Sequence, residues 1–115
     1  MKDINGKIQV NGVEYPLVFN LNVMESIQEK YGSIQEWGNL TDGESGEPNA
    51  KAVIFGFTEM INEGIDIEND EREEKRPPVT LKQVGRLITE YGLLEATSKL
   101  NKTVVESTKS EEKNG

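Results

Sequence analysis

The chain contains no histidine and no cysteine. That removes disulfide frameworks, Cys/His zinc sites, thiol nucleophiles, Ser-His-Asp triads, iron–sulfur ligation and a histidine pH switch. Catalysis would have to rest on carboxylates, lysine, tyrosine or a hard metal ion. Positive charge is scarce as well: 13 Lys and Arg stand against 21 Asp and Glu, a formal net charge of -8. A surface of this sign disfavours general nucleic-acid binding, which needs a clustered positive patch, and docking on an anionic membrane. No apolar run approaches the roughly 20 residues of a membrane-spanning helix. The opening Met1-Lys2-Asp3-Ile4-Asn5-Gly6 enters a polar alternating segment rather than the apolar core of a secretory signal. A protein of the cytoplasm is the expectation, with neither nucleic acid nor membrane as partner.

With 115 residues, 34% of them hydrophobic, the chain has the size of one domain. Asn11-Gly12 lies between two alternating runs, the strongest local hairpin signal. A two-residue loop there sets Val10 opposite Val13, Ile8 opposite Tyr15, Gly6 opposite Leu17 and Ile4 opposite Phe19. Ile4, Ile8, Val10, Val13, Tyr15, Leu17 and Phe19 then share one apolar face, and Lys7, Gln9, Glu14, Pro16 and Val18 the other, mostly wet one. Pro16 cannot donate to a ladder, which marks a sheet edge. A lone hairpin is marginal in water, so helices must cover its apolar face.

Helical spacing follows. Val23, Met24, Ile27 and Tyr31 form a stripe, capped by Asn20 or Asn22 and stopped at Gly32. Ser33 with Glu36 reads as a capping box opening a short turn, Ile34 to Trp37. Residues 38–48 have loop composition. A second long helix runs from about Asn49 to Gly64 or slightly beyond, with the stripe Ala50, Val53, Ile54, Phe57, Met60 or Ile61, and Ile65. It is the most apolar segment and is expected at the centre. Residues 66–78 read as a charged connector closed by Pro77-Pro78. Thr80 caps a helix with the stripe Leu81, Val84, Leu87, Ile88 and Tyr91. Gly92 either ends or bends it before Leu93, Leu94, Ala96, Leu100 and Val104 continue a stripe. The expected fold is α+β: an N-terminal β-hairpin, about residues 4–19, packed on a small bundle of three to four α-helices, about 21–105, in one domain. A flexible polar tail is expected over 106–115.

Chemical motifs are thin. In the connector, Asp66, Glu68 and Asp70 match the first, third and fifth positions of a calcium loop, but Glu71 stands where glycine is needed and Pro77 where the final glutamate belongs. A solvated charged loop is the better reading. No glycine pattern makes a phosphate cradle or a dinucleotide fingerprint. Residues 80–104 have the length of a helix-turn-helix, with Gly85 at a packing position. The turn glycine falls late, at Gly92, and Lys82, Arg86, Lys99 and Lys102 against Glu90 and Glu95 make only a slight positive surplus. Trp37, the one tryptophan, either plugs the gap between hairpin and helices or anchors an interface.

The run Asn11-Gly12-Val13-Glu14-Tyr15-Pro16-Leu17-Val18-Phe19-Asn20 leads straight into Val23-Met24-Glu25-Ser26-Ile27. Later come Phe57-Thr58-Glu59-Met60-Ile61-Asn62-Glu63-Gly64 and Pro77-Pro78-Val79-Thr80-Leu81-Lys82-Gln83-Val84-Gly85. Over about residues 4–105 this layout resembles the tail assembly chaperones of long-tailed bacteriophages and prophages of Gram-positive hosts. The resemblance implies a non-enzymatic, cofactor-free factor of the host cytoplasm, absent from the mature virion. It would bind and solubilise the tape measure protein until tail tube subunits polymerise around it. It also implies homo-oligomers and a short form beside a frameshifted longer one, with this chain as the short form. A holdase needs exposed apolar helix surface inside a charged exterior. Trp37, Leu94, Leu100 and Val104 are the candidate partner-binding residues. The competing reading is an acidic interaction protein of a mobile element, an inhibitor or a DNA mimic. The acids are spread along the chain and densest in one loop, unlike the regular spacing of a phosphate backbone.

Overall fold

The computed structural model describes residues 6–43 and 46–114, with side chains as far as Ser107. Two strands, β1 (Gly6–Val10) and β2 (Val13–Leu17), precede five helices among the described residues: α1 (Leu21–Tyr31), α2 (Ile34–Thr41), α3 (Ala50–Asn69), α4 (Leu81–Tyr91) and α5 (Leu93–Asn114). This is the α+β architecture expected from the order of hydrophobic periods. Asn11 (φ 52°) and Gly12 (φ 81°) both take positive φ, as a two-residue hairpin turn requires. The register follows from it: Val10 pairs with Val13, Ile8 with Tyr15, Gly6 with Leu17. The Ile4–Phe19 pair lies outside the described residues.

The division of the hairpin into an apolar and a wet face holds only in part. Ile8, Val10 and Leu17 enter the core and Val13, at the tip, is 44% exposed. Pro16 and Val18, assigned to the wet face, are buried. The reason lies in α3, which passes directly along β2. Gly64 has no side chain, and a Cβ there would lie 2.7 Å from Pro16 Cβ and Cγ. The strand therefore touches the helix backbone, and Val18 N–H donates to the Met60 carbonyl at 3.2 Å. Proline at position 16 removes a donor where this helix leaves no room for a third strand.

The long apolar helix is central, as its composition requires. Ala52, Val53, Gly56, Phe57, Thr58, Met60, Ile61, Gly64 and Ile65 of α3 are all buried. Its boundaries differ from the expectation. It continues through the first acidic residues to Asn69, and Lys75 Nζ donates to the Asn69 and Arg72 carbonyls beyond its end. A cation placed there complements the helix's negative pole. The short turn expected at Ile34–Trp37 is an eight-residue helix, with Glu36 N–H donating to Ser33 Oγ at 3.1 Å. At the other end of the chain the expected polar tail is helical as far as Asn114. Glu and Lys are good helix formers, and Ser107 Oγ donates to the Phe19 carbonyl at 2.7 Å, tying α5 to the β2–α1 junction.

Asn20 caps α1, and Glu63 of α3 accepts from both Asn20 Nδ2 (2.9 Å) and Asn22 Nδ2 (3.0 Å). A carboxylate is thereby placed at a helix N-terminus, where the macrodipole favours it. Two further asparagines set the return path. Asn62 Oδ1 accepts from Val79 N–H (2.8 Å) and its Nδ2 donates to the Val79 carbonyl (3.0 Å). Asn69 makes the same pair of bonds to Arg76, both at 2.9 Å. The spacings match: seven residues of helix advance about 10.5 Å, and three residues of extended proline-type chain about 9 Å. Asn62→Ala leaves a part-buried amide and carbonyl without partners, and should cost about 1–3 kcal/mol. Asn69→Ala, at the last residue of α3 where a helix end frays, should cost less. Denaturant unfolding measures both, and faster hydrogen exchange at the Val79 amide should accompany Asn62→Ala alone.

Candidate partner-binding surface

The inward stripe of α3 leaves Ile54 and Phe55 on its flank, half-buried. α1 ends beside them: Tyr31 meets the Phe55 ring edge-on, centroids 5.8 Å apart, and Lys30 Nζ lies 5.4 Å from the Phe55 centroid. Burial holds the Tyr31 phenol above its usual pKa. α4 begins on the other side. Its start is set by a full capping box, in which Gln83 N–H donates to Thr80 Oγ1 (3.2 Å) and Thr80 N–H to Gln83 Oε1 (2.8 Å). α4 packs on α3 at Gly85, where even a Cβ would make only ordinary contact, 3.5 Å, with Ile54 Cδ1.

Between these three helix ends lies an open groove of about 820 Å³. Its floor is Ile54, Phe55 and Leu81, and its border is Lys30, Lys51, Lys82 and Thr80. None of these residues is acidic, on a chain of net charge -8. Lys51 and Leu81 stand in the first turns of α3 and α4, and neither first turn holds an acidic residue. The positive poles of both helices thus have no first-turn carboxylate beside the lysines. Leu81 is 55% exposed although it begins the apolar stripe of α4. At the first position of a capped helix, its side chain stands outside the α3–α4 packing.

A second cleft, about 190 Å³, lies between the hairpin and the end of α3, lined by Lys7, Glu14, Pro16, Glu68, Arg72 and Arg76. Its cations are engaged. Lys7 pairs with Glu14 at 2.9 Å, Arg72 with Glu68 at 3.6 Å, and Arg76 stacks 4.9 Å from the Tyr15 centroid. Among the described residues, no three carboxylates gather where they could hold a metal ion, and no helix is long and apolar enough to cross a membrane.

The four candidate contact residues part company. Trp37 is 1% exposed and lies in the core, its Nε1 donating to the Ala52 carbonyl at 3.0 Å. Leu100 is fully buried, and Val104 packs half-buried against the core. As partner-facing positions Trp37 and Leu100 are therefore corrected: α2 and α5 each turn an apolar stripe inward, and these two residues lie on it. Leu94, 77% exposed in the first turn of α5, is surface, as is its neighbour Leu93 in part. The groove brings Ile54 and Leu81, both on apolar stripes, together with lysines from three separate helices. Phe55, a large aromatic one step off the stripe of α3, was the available signal.

Compared with known protein families, curated proteins and solved structures, the chain matches none.

Proposed function

We propose that this protein is a non-enzymatic tail assembly chaperone that holds the tape measure protein in solution during phage tail morphogenesis. The observation that carries the reading is the open groove on Ile54, Phe55 and Leu81, apolar surface that the fold builds and leaves uncovered. Exposed Leu94 adds to it. Exposed apolar surface of this kind is what an amphipathic helix lays its face upon, and the net charge of -8 keeps laden complexes apart. The sequence layout from the hairpin to α5 supplies the link to the tail assembly chaperones.

Co-expression with an apolar helical fragment of a phage tape measure protein tests the proposal. The fragment should be soluble with the chaperone and should precipitate without it. Leu81→Glu combined with Leu94→Glu should abolish that effect while leaving the melting temperature within a few degrees. Both residues stand in first turns, where a carboxylate suits the helix dipole, so the fold tolerates the charge. A fragment equally soluble with and without the chain overturns the function.

A further inference from the structure

We propose that the groove between α1, α3 and α4 seats an acidic amphipathic helix of a partner polypeptide, its apolar side chains on Ile54, Phe55 and Leu81 and its flanking carboxylates on Lys30, Lys51 and Lys82. The proposal deepens the function above by assigning the charge of the bound segment, and takes from it only the identity of the client.

The argument is one of charge complementarity at a local exception. The chain as a whole repels acidic partners, with 21 acids against 13 bases. Yet the lining of its large apolar groove contains three lysines and no acid, and two helix N-termini open onto it without a first-turn carboxylate. Screening confines the general repulsion to about 8 Å at physiological salt. Within that range a docked segment meets the lysines and the helix poles rather than the net charge. A basic or neutral apolar segment would leave Lys51 and Lys82 without counter-charges, and Lys30 with only its contact to the Phe55 ring.

The shape selects a helix over other anions. The lysines come from three different helices rather than one cluster, so they suit several separated carboxylates better than the single headgroup of a fatty acid. A single-stranded nucleic acid brings charge and can stack a base on Phe55, but it brings no aliphatic face for Ile54 and Leu81, and its phosphates beyond the groove meet a chain of net charge -8. An amphipathic helix supplies both, with apolar residues along one face and carboxylates flanking it.

Fluorescence anisotropy on the full chain tests this with two synthetic peptides of about 20 residues, long enough to be helical in water. Both carry leucines along one face. One bears glutamates at the flanking positions and the other lysines. The glutamate peptide should bind about tenfold more tightly, and raising the salt should shrink the difference, since exposed ion pairs are individually weak and three act together. The Lys30→Glu, Lys51→Glu, Lys82→Glu triple variant should reverse the preference. Amide shifts in the NMR spectrum should centre on Phe55, Leu81 and Lys82. Equal or tighter binding of the lysine peptide, shifts confined elsewhere, or dodecanoate filling the groove and excluding the peptide would each overturn the proposal. The two hypotheses fail separately. A client held in co-expression by a chain that ignores the glutamate peptide sinks the groove assignment alone. A chain that binds the peptide in the groove but holds no client sinks the chaperone function alone.

Discussion

Trp37→Ala should lower the stability of this protein by about 3–5 kcal/mol, the range for deleting a buried aromatic side chain. Domains of this size have only about 5–15 kcal/mol in total, so the variant should unfold at markedly lower denaturant. The indole is 1% exposed and spans the gap between α2 and α3, with its N–H on the Ala52 carbonyl. Gly56 is what admits it: a Cβ there would lie 2.4 Å from Cζ2 and 3.0 Å from Cε2 of the ring. Gly56→Ala sets two effects against each other. Alanine favours a helix interior by about 1 kcal/mol. Overpacking a rigid buried ring costs about 1–3 kcal/mol, and shifting it also strains the bond to Ala52. The clash should win, and the variant should be less stable than the parent. In Trp37→Phe the ring is smaller, so adding Gly56→Ala to it should cost less than adding it to the parent. A double-mutant cycle from urea unfolding reads that coupling. Additive losses would mean that the indole is not what position 56 has to accommodate.

Gly64→Ala should cost about 1–3 kcal/mol, although it too replaces glycine by the better helix former. The new Cβ would meet Pro16 Cβ and Cγ at 2.7 Å and Val18 Cγ2 at 3.3 Å. The proline ring cannot rotate away. Relief requires β2 to move off α3, which breaks the bond from Val18 N–H to the Met60 carbonyl. Overpacking and the lost bond, less about 1 kcal/mol of helix propensity, give the estimate. Pro16→Ala should not rescue the variant, because its own Cβ is one of the clashing atoms, whereas Pro16→Gly should recover part of the loss. A Gly64→Ala protein as stable as the parent would show that the strand and helix are not in direct contact.

Local rules carry a long way here. The Asn11-Gly12 turn requires positive φ at two successive residues, and that alone sets the register from Val10 and Val13 down to Gly6 and Leu17. Asn20, Ser33, Asn49 and Thr80 each accept from a backbone N–H three residues on. Gly92, at φ 105°, ends α4. Helix ends were less legible where charge was dense. Asp66 to Asn69 read as connector and are helix, because polar residues on the outer side of a helix leave no apolar period to follow. The groove was less legible still. Lys30, Lys51 and Lys82 are separated by 21 and 31 positions, and a lysine beside a groove has the same local pattern as one on a solvated face.

By itself, then, the sequence determined the absence of thiol and imidazole chemistry, the sign of the surface, the hairpin with its register, and the order of the helices. These depend on side-chain identity, turn stereochemistry and hydrophobic period, all of which act within a few residues. Only the tertiary structure decided that Pro16 and Val18 are buried, that Trp37 and Leu100 belong to the core, and that three lysines border one apolar groove. Those outcomes depend on which helix lies against which, and close approach at Gly56 and Gly64 settles that between residues far apart in the chain.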